Sequence, residues 1–339
     1  MTRPAWLVMP ALAIVAVAAA MAMTAVVARP VLTGATSGHA LFAFIADGVV
    51  ALAMWHVLHR LGIAYAGAWA LAVLALPGIA LDMGSSAPAA LLSAAAAMLA
   101  VSSAAERRHR AMLGWAGVAA MLSLTALLLC PFVAAMLIAR RTRWRIWLFA
   151  LGIALLVTAG TIVGNWHGDP SAATSLLAPD YTNGVFRDAP NIWALASITL
   201  GKATPPLFGL AVASAIGAIA SYLAWIGATG AWFRGEQVVS AALLALMLTA
   251  GLLPGMGVND FLAVQILALA LAAIDPRWRS IRLVVMTQIG ACAAIWGHVG
   301  DVPLLTAMGA LPMIAAMLDL GTRLIRPAAN DNPLLARAV

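Results

Sequence analysis

Long apolar runs separated by short polar turns fill most of the chain, and the length of the runs sets the reading. Each extends for about 20 residues, enough for a helix to cross roughly 30 Å of hydrocarbon. No apolar and polar alternation of period two recurs, so helices rather than a barrel must satisfy the backbone in lipid. Residues 5–28 exceed a signal-peptide core and are read as a retained first span. Further spans are expected at 39–58, 63–81, 87–105, 146–164, 206–226, 238–253, 261–274, 283–296 and 304–320, with a short surface helix at 191–201.

Two basic clusters, Glu106-Arg107-Arg108-His109-Arg110 and Arg140-Arg141-Thr142-Arg143-Trp144-Arg145, flank an apolar interval broken at Cys130-Pro131. With both clusters on one side, that interval must be a hairpin of two short helices that does not fully cross. The expected fold is therefore all-α: a polytopic membrane protein of about 10 to 12 membrane helices, some of them re-entrant. Residues 1–322 form one multi-pass domain, and 323–339 are read as a disordered cytoplasmic tail.

Composition agrees with the pattern. Over 339 residues, 64% are hydrophobic and 9% charged, with a mean hydropathy of +1.00. A soluble globule needs about 25% charged residues. The net charge of +7 does not point to nucleic acid, because the basic residues cluster at the ends of apolar runs as cytoplasmic loops do. Of the 19 lysines and arginines, the threading leaves only Arg29, Arg187 and Lys202 outside. Both termini are then cytoplasmic. Cys130 and Cys292 lie within apolar runs and define no disulfide framework.

The same threading gathers Asp82, Asp169, Asp180, Asp188, Asp260 and Asp301 at the outer face. The one long polar interval, the outer loop at 165–193, holds three of these with His167 and Arg187, and its prolines and glycines argue against a continuous helix. Asp47 lies inside the second span, where a carboxylate is costly unless paired or wetted. It either lines a substrate cavity or is held by a neighbouring helix. Asp82, at the outer end of the third span, suits a general base on an acceptor hydroxyl or is a solvated span end. Asp169 is a third candidate base. Arg187 and Lys202, the only lysine, could hold a lipid-linked phosphate, anchor headgroups or pair with Asp188. His167 with Asp169 and His298 with Asp301 are scattered pairs without the spacing of a metal motif, so no metal or other cofactor is assigned. Asp319 is expected to pair with Arg323, one turn away.

IADGVVALAMWHVLHRLG, LAVLALPGIALDMGSSAPAALLSAAAAMLAV, Asn191-Ile192-Trp193 and LLPGMGVNDFLAVQILAL succeed one another in an order that resembles the GT-C superfamily of membrane glycosyltransferases, in particular bacterial members that use polyprenyl-phosphate sugars. The resemblance runs over about residues 40–289. It implies transfer of a sugar from a polyprenyl phosphate to an acceptor at the outer face of the inner membrane, in cell-envelope polysaccharide or glycolipid synthesis. By that resemblance Asp82, Asp47 and Asp169 are the catalytic candidates. Arg187, Lys202, His167, Asp188, Asn191, Trp193 and Asp260 form the candidate substrate-binding set. The chain departs from the family where Gly257-Val258-Asn259-Asp260 stands in place of His-Glu-Arg-Tyr, and where a short first loop carries no acid before Asp47. These departures keep open a second expectation, a non-catalytic scaffold or binding subunit working with cell-envelope glycosylation partners. A transporter or flippase ranks last, since beyond Asp47 and Asp319 the span interiors offer almost no ionisable residue.

Overall fold

The computed structural model describes residues 37–76, 79, 87–166, 189–200 and 205–331. Among them every regular element is helical, and no strand occurs. In chain order the α-helices are α1 (Ser37–Arg60), α2 (Ala66–Val73), α3 (Ala87–Ala105), α4 (His109–Leu122), α5 (Cys130–Ala139), α6 (Trp144–Trp166), α7 (Ile192–Leu200), α8 (Pro205–Thr229), α9 (Gly235–Leu252), α10 (Leu262–Ile274), α11 (Trp278–Val299) and α12 (Pro303–Asp331). Five segments are long and apolar enough to cross a membrane: Pro88–Ala105, Pro206–Trp232, Gly235–Leu252, Trp278–Val299 and Pro303–Ile325. Thr125–Ala139, Trp144–Gly160 and Val258–Ile274 are shorter apolar helices. These features suit a multi-pass membrane protein.

Side-chain size decides which helices are central. In lipid, helices associate through close packing rather than water expulsion, so small residues mark the contacts. The alanine run of α3 buries Ala94, Ala95, Ala96, Ala97, Ala100 and Ala104, which lets α1, α4, α9 and α10 approach it from several sides. Two thirds of each central span, 67% in both α3 and α9, is buried, against 17% of the peripheral Pro206–Trp232. The large exposed side chains of the periphery, such as Leu155, Leu210 and Ile216, face outward as a lipid-contacting surface does.

The tightest approach joins α11 to α12. A Cβ built on Gly309 would lie 2.6 Å from the carbonyl oxygen of Gly290, and one on Gly290 would lie 2.8 Å from that of Gly309. Only hydrogen fits between two backbones at that distance. The GxxxG spacings in the sequence did not mark this contact: Gly251 meets nothing within 4 Å, and Gly160 meets only a methionine methyl.

Between the two basic clusters the chain forms two short helices, α4 and α5. α4 stops at Ser123, whose backbone turns extended and whose hydroxyl accepts from the Thr125 N–H at 3.4 Å. A 3₁₀ segment, Leu124–Leu129, follows, and Pro131 then opens α5 in the first turn, where its missing N–H costs nothing. At 14 and 10 residues, α4 and α5 reach only about 21 and 15 Å.

Two expectations need correction. The third span, expected over 63–81, is not one continuous helix: Ile79 is helical, but α2 ends at Val73. Turns at Leu74, Ala75 and Leu76 follow, because Pro77 disfavours helical backbone ahead of it. The tail from Arg323 begins as helix, since α12 continues to Asp331. Arg323, near the end of the candidate span, is held at three nitrogens by Asp319 and Ser280.

Candidate functional site

The bundle has two chemically distinct ends. At one, Glu106 pairs with Arg60 at 3.3 Å and with Arg108 at 3.1 Å, and Arg140 Nη1 donates to the Ala104 carbonyl at 2.6 Å. Burial, and the Arg107 charge beside it, lower the Arg140 pKa to about 10, which leaves it charged at neutral pH. Leu61 packs beside Gly235, tying this cluster to the start of α9. There Asp275 pairs with Arg277 at 3.1 Å, and Asp319 pairs with Arg282 at 2.7 Å and Arg323 at 2.8 Å, the last as expected from the sequence. Every described arginine lies on the helix ends and turns of this end or on the last third of α12.

The opposite end is held by hydrogen bonds to backbone. The Trp193 indole N–H donates to the Leu252 carbonyl at 2.6 Å, pinning α7 across the end of α9. Asn191 Oδ1 accepts from the N–H groups of Trp193 and Ala194 at 3.1 and 3.0 Å, capping α7. Thr249 donates to the Leu128 carbonyl at 3.2 Å, joining α9 to the tip of the hairpin.

At this same end lies a small cleft of about 20 Å³, lined chiefly by α3, the hairpin tip and the start of α10. Its polar lining is Ser93, Thr125, Asn259 and Asp260, set among alanines and leucines. Local chain geometry places the carboxylate. Pro254-Gly255, with Gly255 at φ 78°, turns the chain out of α9, and a 3₁₀ turn, Val258–Phe261, precedes α10. Within it Asp260 Oδ2 accepts from the Gly257 N–H at 2.7 Å. Burial raises the Asp260 pKa, and the Gly257 bond opposes that shift without cancelling it. One oxygen is thus held while the carboxyl lies against the cleft, an arrangement suited to taking a proton. Ser93 is committed to the Ala119 carbonyl at 2.9 Å, and Thr125 shares a hydrogen bond with Ser123 at 2.9 Å.

The sequence candidates divide into three groups. Asp82, Asp169, His167, Arg187, Asp188 and Lys202 lie outside the described residues, as do positions 167–188 of the outer loop. Asp47 is buried in α1 and does not line the cleft. Asn191, Trp193 and Asp260 share one end of the bundle, but Asn191 and Trp193 work as cap and pin, and only Asp260 reaches the cleft. Ser93, Thr125 and Asn259 escaped the sequence reading, since single hydroxyls and an amide in apolar helices and turns carry no pattern. The adjacency of Asn259 to Asp260, shortly after Pro254-Gly255, was the one available signal.

No family model matches the chain, and no curated protein or solved structure matches it.

Proposed function

We propose that the chain is a membrane glycosyltransferase-like protein of GT-C type, with about 10 to 12 membrane helices. In this reading it lies in the bacterial inner membrane with cytoplasmic termini, and it works on a polyprenyl-phosphate sugar at its Asp260 end, in cell-envelope polysaccharide or glycolipid synthesis. The observation that supports the reading best is the Asp260 carboxylate, anchored by Gly257 and set in a cleft at the end without described arginines. In the reaction a carboxylate takes the proton of an acceptor hydroxyl as that oxygen bonds to the anomeric carbon. The bond from that carbon to the phosphate oxygen breaks, and the polyprenyl phosphate leaves. Asp260 is our first choice of base, ahead of Asp82, Asp169 and Asp47, and Arg187 and Lys202 are proposed to hold the leaving phosphate. Purified protein is expected to transfer label from a polyprenyl-phosphate sugar, and Asp260→Asn to stop it. Undiminished transfer by that variant would remove Asp260 from the mechanism.

A second reading, a non-catalytic scaffold or binding subunit, draws on the lining of the cleft, where one carboxylate stands among mostly alanine and leucine. It requires co-purification with a partner that performs transfer and no turnover by the isolated chain.

A further inference from the structure

At the arginine end, α11 and α12 form an open cavity of about 220 Å³, lined by Arg279, Arg282, Asp319, Thr322 and Arg323. We infer that this cavity binds the phosphate headgroup of a membrane lipid. The inference does not rest on the proposed transfer reaction, which concerns the other end of the molecule.

Spacing builds the site. Arg279 and Arg282 are three residues apart on α11, and Asp319, Thr322 and Arg323 are three and four apart on α12, so each set shares a helix face. In the lining three guanidiniums meet one carboxylate, and although Glu236 and Asp275 lie close to Arg323 and Ser280, Arg277 pairs with Asp275, so a positive excess remains. The Asp319 carboxylate is fully engaged: Oδ1 accepts from Arg282 Nη2 at 2.7 Å, and Oδ2 accepts from Arg323 Nε and Nη2 at 3.1 and 2.8 Å. Arg323 Nη1 donates to Ser280 at 3.2 Å, so this arginine is consumed by the protein and serves as framework. The Arg282 fork is fixed at one nitrogen and keeps its other donors. Arg279, among the described residues, forms no ion pair or side-chain hydrogen bond. An arginine fork matches phosphate through paired N–H donors, and one held in place loses less freedom on binding.

Position selects a lipid over a soluble phosphate. The cavity sits in the terminal turns of two candidate membrane spans, where hydrocarbon gives way to headgroups. Leu318 and Ile325 on α12 and Val285 on α11, each within three residues of a lining residue, are exposed apolar side chains, and Trp278, 73% exposed, precedes Arg279. Exposed aliphatic side chains there can meet acyl chains, while Trp278 suits the headgroup level. Basic pockets between helices at this depth are a general form of headgroup recognition.

The test uses the full chain purified in detergent, incubated with phosphatidic acid and examined by native mass spectrometry. One lipid per chain is expected to remain bound, and inorganic phosphate should not displace it. Arg279→Gln, which breaks no ion pair, should weaken retention on the order of tenfold. Arg143→Gln, which removes the same charge from the start of α6, should leave retention unchanged. Equal losses in the two variants would reduce the effect to diffuse surface charge and overturn the site. Displacement by inorganic phosphate, or no retention by the unaltered chain, would overturn it as well.

Discussion

The two ends of the bundle are joined by different means. At the arginine end, ion pairs connect positions distant in sequence, Arg60 to Glu106 and Arg282 to Asp319, and most of these groups are partly exposed. Exposed pairs contribute little individually, about 0–1 kcal/mol, so such an end tolerates the loss of one member. At the Asp260 end the described ties are single hydrogen bonds to backbone, and the carboxylate in the cleft accepts its bond from a backbone N–H. A redundant charged surface suits anchoring at headgroups, whereas one desolvated carboxylate suits proton transfer. A single substitution should therefore matter more at the Asp260 end than among the exposed ion pairs.

The largest expected effect is on activity. Asp260→Asn keeps an acceptor oxygen for the Gly257 N–H but cannot take a proton, and should lower sugar transfer by about 10²–10⁴-fold while melting close to the unaltered protein. Next is Gly309→Ala, which places a methyl against the Gly290 carbonyl and wedges α11 from α12. We expect a loss of about 1–3 kcal/mol, read as a lowered midpoint of unfolding, together with loss of lipid retention at the arginine cavity. Asp260-dependent transfer should persist in the folded fraction. Trp193→Phe removes the donor to the Leu252 carbonyl and should cost about 1 kcal/mol, seen as a smaller shift in thermal unfolding.

The smallest effect is in pH. Because burial raises the Asp260 pKa above its ordinary value of 3.8, the folded chain holds that proton more tightly than the unfolded one. The contribution of this group to stability is therefore full below pH 3.8 and falls as pH rises through the raised value. Comparing the stability of the unaltered chain with that of Asp260→Asn across this range isolates the term. A difference that grows in favour of the unaltered chain with rising pH would contradict the assigned shift.

Much of the fold was legible because apolar length is a strong signal. α3 matches the expected 87–105, and the hairpin follows from two basic clusters too close together for two full crossings. The third span misled because its apolar run continues past Val73, while the backbone yields to Pro77. The closest helix contact was hidden because Gly290 and Gly309 lie on different helices, and no spacing within one helix encodes their meeting. The site was less legible still. Asp260 was among the residues singled out, but Ser93 and Thr125 are brought beside it only by the packing of α3 against α10 and of the hairpin tip against α3 and α9. The arginine cavity likewise draws on helices whose basic residues, taken singly, read only as span ends.

The central claim is that the Asp260 end and the arginine end face opposite sides of the membrane. It is tested most directly by labelling with a membrane-impermeant thiol reagent in a chain whose Cys130 and Cys292 are replaced by serine. Asn259→Cys should react in intact cells, and Arg279→Cys only after the membrane is opened. Labelling of both positions from one side, or of Arg279→Cys alone in intact cells, would contradict the account.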